Sequence, residues 1–113
     1  MKESPLFSKT YDLLLWFNNH TRHYPKHERF RLAKRMDDLV FLMYEQVVKA
    51  SMENNKTQSL FEAALAVKKL TVLCRLSKDA GNMTDRQYFF VTEKIVEIAK
   101  MINAWRKKVE QQA

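Results

Sequence analysis

Glycine is almost absent from this sequence of 113 residues, which contains 1 Gly and 2 Pro. β-Hairpins and doubly wound α/β folds use glycine in their turns and phosphate loops, so the composition disfavours both classes. A lone glycine also excludes a phosphate-binding loop of the P-loop or GxGxxG type. The chain is therefore expected to be helical and, at this length, to form one domain around one hydrophobic core.

Residues that typically begin or end helices divide the chain into four segments. Ser4 followed by Pro5 is typical of a helix start. Thr84 with Gln87 forms a capping-box pattern at another start. Gly81 is typical of a helix end in the left-handed conformation.

The start of the third helix has two alternative caps. One is Asn55 paired with Gln58, and the other is Thr57. With these ends, the predicted helices span residues 5–23, 26–53, 57–80 and 85–109.

The fourth segment has the clearest apolar pattern, a seam with alternating spacings of three and four residues over three heptads. The seam consists of Tyr88, Val91, Ile95, Ile98, Ile102, Trp105 and Val109. The second segment has a broad apolar face. One stripe of that face consists of Phe30, Ala33, Asp37, Val40, Tyr44 and Val47.

Long helices joined by short connections lie antiparallel to their neighbours, so the predicted fold is an all-α, up-down-up-down four-helix bundle. The alternative is a helical hairpin that completes its core only in an oligomer. Four aromatic residues off the main stripes bear on this choice, because they indicate either a wider core or an oligomer interface. They are Trp16, Phe41, Phe89 and Phe90.

No pattern in the sequence predicts catalysis. His27 and Glu28 begin like the zinc motif HExxH, but Arg31 stands where the second histidine is required. Glu93 and Glu97 share a helix face, which we interpret as solvated surface and not as a catalytic pair.

No pattern predicts a metal or a cofactor either. His20, His23 and His27 lie around the first break between helices. Only Glu28 is available to complete a metal shell, so we interpret the histidines as an ordinary loop cluster. The single cysteine, Cys74, lies on an apolar stripe, and we interpret it as a buried small residue.

Positive charge is the most informative feature of the composition. The chain carries 20 Lys+Arg and 13 Asp+Glu, for a net charge of +7, and residues 22–35 contain six of the cations and only one acid. These cations lie at a helix N-terminus, which disfavours positive charge and favours bound phosphate, so we predict a nucleic-acid-binding surface there. A second basic group lies on the third helix, whereas residues 106–108 are interpreted as favourable charges at a helix end. The predicted nucleic-acid-binding residues are Arg22, Lys26, Arg29, Arg31, Lys34, Arg35, Lys68, Lys69, Arg75 and Lys78. Aromatic residues do not interleave with these cations in a way that predicts a base-stacking platform.

Three motifs resemble a known family. They are PKHERFRL at residues 25–32, LTVLCRL at residues 70–76, and Gln87–Tyr88 with the late Trp105. Together they resemble the accessory variability determinant (Avd) proteins of diversity-generating retroelements, which are relatives of four-helix proteins encoded in ribosomal RNA intervening sequences. The resemblance implies a four-helix bundle without catalytic activity, assembled into a ring-like homopentamer with a basic surface.

The resemblance also implies partners. Such proteins bind the reverse transcriptase of the retroelement and its template RNA or RNA–cDNA intermediate, and they support mutagenic cDNA synthesis. Lys26, Arg29 and Arg75 match basic positions of the family motifs, whereas the other basic residues are assigned from charge alone. The alternative function is a structural bundle that docks an acidic protein and has no nucleic-acid role.

The start of the chain and its hydropathy bear on location. The first residues do not resemble a signal peptide. No apolar stretch approaches the length of a membrane span. A cytoplasmic location is therefore expected.

Overall fold

The computed structural model describes residues 4–112, which form four helices and no strand. We label them α1 to α4 in chain order. The first helix ends earlier than the predicted residue 23, at Thr21, and the last continues past the predicted residue 109. Helix α1 is Pro5–Thr21, α2 covers residues 26–52, α3 is Thr57–Asp79 and α4 is Asp85–Gln112.

Two predicted helix starts are formed by the predicted caps. The Ser4 hydroxyl oxygen accepts a hydrogen bond from the backbone N–H of Phe7 at 3.3 Å. Thr84 and Gln87 form a reciprocal capping box, with the Gln87 N–H donating to the Thr84 hydroxyl at 3.0 Å and the Thr84 N–H donating to the Gln87 side chain at 2.9 Å. These bonds satisfy N–H groups that a helix cannot pair internally.

The third helix begins differently from both predicted alternatives. The Thr57 N–H donates to the side-chain oxygen of Asn55 at 3.2 Å. Gln58 does not complete a capping box, because its amide donates instead to Glu62 at 2.9 Å. The Lys56 ammonium stabilises the C-terminal end of α2, because it donates to the backbone carbonyls of Ala50 and Glu53, both at 2.7 Å.

Gly81 ends α3 in the left-handed conformation, as predicted, with a φ of 83°. The Asn82 N–H donates to the Ser77 carbonyl at 2.9 Å, and the Gly81 N–H donates to the Lys78 carbonyl at 3.0 Å. This pair of bonds is the Schellman motif, which closes the last turn of the helix.

The four helices pack around a shared apolar core. Helix α1 packs against α2 and α4, α2 packs against α3, and α3 packs against α4. The predicted seam of α4 is confirmed at Val91, Ile95, Ile98 and Ile102, which are buried. The largest fully buried side chains from the other helices are Phe17, Leu32, Met36, Val40, Met43, Val47, Leu60 and Leu70.

Helix α2 contains a π-helical turn near its start. Lys26–Glu28 is α-helical, Arg29–Ala33 is π-helical, and Lys34–Met52 is α-helical again. The Lys34 N–H donates to the carbonyl of Arg29, five residues earlier, as well as to that of Arg31. A π turn accommodates one extra residue, so the residues before it are rotated by about 100° relative to an uninterrupted helix.

This turn overturns one sequence prediction. Phe30 was predicted to lie on the core stripe with Ala33 and Val40, but its side chain is 82% exposed, whereas Ala33 and Val40 are buried. The prediction assumed a constant helical period, and the extra residue of the π turn takes Phe30 out of register.

The four aromatic residues off the main stripes divide into two kinds. Trp16 is partly buried and packs against the core, as a wider core predicts. Phe41, Phe89 and Phe90 are about half exposed or more, so the wider core does not account for them. Within residues 4–112, no helix combines the length and the hydropathy that a bilayer crossing requires.

Candidate nucleic-acid interface

The connection between α1 and α2 is fixed to the end of α3 by Tyr24. The Tyr24 hydroxyl hydrogen-bonds the Ser77 hydroxyl, lies 3.1 Å from Nε2 of His20, and donates to the sulfur of Met36 at 3.7 Å. Burial raises the pKa of Tyr24 to about 12, so the phenol stays neutral at physiological pH. This connection immediately precedes the basic start of α2, which is thereby held against the bundle.

A second attachment fixes α2 itself through Glu28. This carboxylate is buried, with 3% of the residue exposed. It accepts from Nε of Arg31 at 2.8 Å and from Nη2 of Arg31 at 2.9 Å, and it also accepts from the side-chain amide of Asn82 at 2.9 Å. The hydrogen bonds from Arg31 are the main cause that lowers the pKa of Glu28. The carboxylate therefore remains ionised and ties the start of α2 to the connection between α3 and α4.

The six predicted cations at the start of α2 are all exposed, but they are not equivalent. Arg31 is paired with Glu28, and Lys34 lies 3.0 Å from the carboxylate of Asp38. Among the residues that the structure describes, the other four have no carboxylate within ion-pair distance. These four are Arg22, Lys26, Arg29 and Arg35.

The basic residues of α3 are divided between different surfaces. Lys69 lines a shallow groove of about 500 Å³ with Arg35 of α2, so the two predicted basic groups meet at this point. Lys68 lines a separate groove of about 470 Å³ between α3 and α4. Arg75 is exposed on α3.

Lys78 is engaged within the protein. Its ammonium lies 3.6 Å from the carboxylate of Asp85 and 5.0 Å from the centre of the Tyr88 ring. Of the ten predicted residues, Lys78 is the one that is partly buried. Lys78 is therefore less available to a ligand than the four cations that have no carboxylate partner among the described residues.

Sequence reasoning missed three contributors to these surfaces. Arg106 was interpreted as a helix-end charge, but it shares the groove of Lys68 and lies 5.7 Å from the centre of the Phe61 ring. Asn82 was missed because it meets Glu28 across 54 positions of sequence. Phe30 was missed because the π turn gives no clear signal in the sequence.

The histidines near the first break do not converge on one point. His20 stacks on Trp16 with ring centres 4.6 Å apart, and Nδ1 of His23 lies 2.9 Å from the carbonyl oxygen of Asn19. Burial, and secondarily the nearby His23, lowers the pKa of His20. Among residues 4–112, no group of three or more His, Cys, Asp or Glu side chains is placed to hold a metal ion.

The other candidate chemical groups, a cysteine and two glutamates, are either buried in the core, paired with another helix or exposed. Cys74 is buried, as predicted, and burial raises its pKa to about 12. Glu97 forms an ion pair with Lys9 of α1, and the hydrogen bond from Lys9 is the main cause that lowers its pKa. Glu97 therefore serves the contact between α1 and α4, and Glu93 beside it is exposed.

Comparison with known proteins identifies a family. A protein-family model described as bAvd-like matches residues 6–109 of the chain. No curated protein and no solved structure matches the chain.

Proposed function

The chain belongs to the bAvd-like family, as the three sequence motifs predicted, and from this premise we propose that it is a non-catalytic accessory protein of a diversity-generating retroelement. In this proposal it binds the template RNA, or the RNA–cDNA intermediate, through phosphates. It also associates with the reverse transcriptase in the cytoplasm and supports mutagenic cDNA synthesis.

The observation that carries the proposal is the group of cations at the start of α2. Arg22, Lys26 and Arg29 are exposed and have no carboxylate within ion-pair distance among the described residues. A bundle gains no stability from placing Lys26 and Arg29 at a helix N-terminus, whereas a phosphate backbone gains from both the charges and the helix dipole. Arg22 differs from these two, because it caps the C-terminus of α1, where positive charge is favourable. Tyr24 and Glu28 hold this segment in place, so the cations form a fixed surface and not a flexible arm.

Phosphate contacts of this kind position an RNA without reading its sequence. The specificity of the complex is therefore expected to come from the shape of the RNA and from the reverse transcriptase. The groove that Arg35 shares with Lys69 extends the surface from α2 to α3, and it also contains Asp38, which reduces the local positive field.

We also propose that the helices alternate in direction and that the bundle assembles into a ring-like homopentamer. Two contacts support the alternation, because Tyr24–Ser77 and Glu28–Asn82 bring the first and third connections to the same end of the molecule.

An exposed apolar surface supports the assembly. Tyr11, Leu15 and Phe41 are each about half exposed, and they line one groove of about 490 Å³ between α1 and α2. Exposed apolar surface of this kind often marks a protein contact.

A ring would strengthen RNA binding without any new type of contact. Each subunit would contribute one weak basic surface, and several such surfaces on one RNA bind far more tightly than one. The proposed assembly and the proposed RNA binding therefore support one another.

The experiment that tests the proposal measures affinity for a structured RNA across a salt series, with the mass of the protein in solution determined in parallel. Neutralisation of several phosphates per site predicts that log affinity falls against log salt with a slope of about −3 to −5. The expected mass is that of an oligomer.

A folded protein that binds no RNA at low salt would reject the RNA-binding proposal. The basic surface would then be assigned to an acidic protein partner. Co-expression with a reverse transcriptase encoded beside this gene tests the other partner directly, because the proposal expects the two proteins to purify together.

A further inference from the structure

The side chain of Phe30 is exposed in an unusual setting. It is 82% exposed, and it is the only exposed large hydrophobic side chain between Leu15 and Phe41. Arg29 and Arg31 flank it in the sequence, and Lys26 lies one turn earlier. A large apolar ring is thus presented to solvent among residues that are basic in the sequence, which differs from the interpretation that no aromatic residue interleaves with these cations.

The exposure of Phe30 is built into the backbone. The π turn of residues 29–33 removes it from the register of the core stripe, and the neighbouring residues are fixed on both sides. Glu28 is buried and hydrogen-bonded before it, and Leu32 is buried after it. The ring is therefore held outside by its neighbours, and a change of rotamer cannot bury it in the core. Single π turns of this kind are frequent at functional sites.

The faces of the Phe30 ring are open. The other strongly exposed aromatic residues of α3 and α4 have partners, since Arg106 covers Phe61, Lys94 covers Phe90 and Tyr88 packs on Phe89. Within residues 4–112, no aromatic ring and no cation stacks on Phe30. An open ring face between cations combines the two elements that bind an unpaired nucleotide, namely a stacking surface for the base and positive charge for the phosphates.

We propose that Phe30 is a stacking position for one unpaired base of the bound RNA, with Lys26 and Arg29 contacting the phosphates on either side of that nucleotide. This inference rests on the proposed RNA binding. Arg31 is a positioning residue, because its two bonds to Glu28 fix the turn that carries the ring. With this stacking position, the protein distinguishes RNA that has an unpaired loop from a fully paired helix. Its phosphate contacts alone would not distinguish the two.

The surroundings of Phe30 favour a base over a protein partner. The cores of protein interfaces are depleted of charged residues and contain contiguous apolar area. Phe30 is instead a single exposed ring without a further exposed large hydrophobic residue between Leu15 and Phe41, and it lies one turn from Lys26, a residue type that protein interfaces disfavour. The apolar groove of Tyr11, Leu15 and Phe41 fits a protein contact better, and it is a different surface.

The test compares two RNAs with equal numbers of phosphates, a hairpin with an unpaired loop and a fully paired duplex. Phe30→Leu removes the ring and keeps an apolar side chain, and Phe30→Tyr keeps a ring. Phe89→Leu is the matched control, because Phe89 is also an exposed phenylalanine, at 65%. Since Phe30 and Phe89 are both exposed, all three variants are expected to fold. Their melting temperatures verify the fold, and their masses in solution verify that assembly is unchanged.

The inference predicts that Phe30→Leu binds the hairpin about 5- to 150-fold more weakly, which is the range that loss of one base–aromatic stack spans. Duplex affinity and the salt slope are expected to stay unchanged, because no charge is removed. Phe30→Tyr and Phe89→Leu are expected to bind the hairpin as the unmodified protein does.

Two results would overturn the stacking position while leaving RNA binding intact. One is an unchanged hairpin affinity in Phe30→Leu, and the other is an equal loss for hairpin and duplex. If the unmodified protein binds neither RNA, the proposed function and this inference fail together. Loss of association with the reverse transcriptase in Phe30→Leu, with unchanged RNA affinity, would assign the ring to a protein contact and reject the stacking.

Discussion

Arg31 donates two hydrogen bonds to the buried carboxylate of Glu28, from Nε at 2.8 Å and from Nη2 at 2.9 Å. The pair lies within one turn of α2, and Asn82 joins it from the connection before α4. The motif at the start of α2 therefore has two roles. Glu28 and Arg31 stabilise this end of the bundle, and the cations around them are available for a ligand.

Loss of Arg31 is expected to destabilise the protein, because it leaves a buried carboxylate with Asn82 as its one remaining side-chain partner among the described residues. Arg31→Ala is predicted to lower the melting temperature by about 5 °C or more. Arg29→Ala is the matched control, since Arg29 is exposed and forms no ion pair with a described residue. Equal melting temperatures for the two variants would contradict the structural role of Arg31.

The same pair predicts a pH dependence. The pKa of Glu28 lies below its usual 4.5 in the folded state, so its contribution to stability is present above pH 4.5 and is lost as the pH falls through the lowered value. The difference in stability between the unmodified protein and Arg31→Ala is therefore expected to shrink on acidification below pH 4.5. A difference that stays constant would show that the destabilisation does not come from the ionised carboxylate.

His20 is expected to destabilise the fold in weak acid. Burial lowers its pKa below 6.5, so the unfolded chain takes up the proton first and protonation favours unfolding as the pH falls through this window. His20→Gln removes the titration and keeps a side chain that can hydrogen-bond the Tyr24 hydroxyl. The unmodified protein is therefore predicted to lose stability relative to this variant as the pH falls below 6.5.

Denaturant melts at several pH values measure this difference. His27→Gln is the control, because it removes a histidine whose side chain is exposed. Trp16 and Tyr24 contact His20 and do not titrate in this range, whereas the nearby His23 contributes to the lowered pKa of His20. An unchanged profile for His20→Gln would contradict the assignment.

Cys74 is predicted to be unreactive in the folded protein. It is buried and its pKa is raised to about 12, whereas the species that attacks thiol reagents is an accessible thiolate. Labelling at about pH 8 is expected to be negligible in buffer and complete in strong denaturant. Rapid labelling of the folded protein would show that α3 opens from the bundle.

Substitution of Gly81 is expected to weaken the end of α3. Its φ of 83° is unfavourable for residues with a side chain, although a Cβ added there would meet no atom within 4 Å. The cost of Gly81→Ala is therefore one of backbone conformation alone, about 1 kcal/mol. Gly81→Asn is expected to cost less, because asparagine tolerates the left-handed conformation better. Denaturant melts measure both, and equal stability of all three proteins would contradict this account.

Much of the fold follows from short-range signals in the sequence. Ser4, Gly81 and the pair Thr84–Gln87 each act within a few residues, and the structure confirms all of them. The buried seam of α4 could be predicted from the sequence because its period stays constant over several turns. Local chemistry therefore determined where three of the helices begin or end.

The candidate surface was less predictable because it depends on contacts between distant residues and on a local change of period. The sequence identified the cations but not which of them are already paired, since Lys78 meets Asp85 only through the turn at Gly81. Asn82 lies 54 positions from Glu28. The displacement of Phe30 depends on a π turn. A prediction that assumes a constant helical period cannot include the extra residue of that turn.

The most direct test of the account compares two double variants that remove the same charge. Lys26→Gln with Arg29→Gln neutralises the predicted surface, whereas Lys107→Gln with Lys108→Gln neutralises two exposed cations at the end of α4. The account predicts that the first pair weakens binding to structured RNA most strongly at low salt and flattens the salt slope by about 1 for each lost phosphate contact. The second pair is expected to change both values little. Equal effects of the two pairs would show that net charge alone drives binding, and would contradict a nucleic-acid interface at the start of α2.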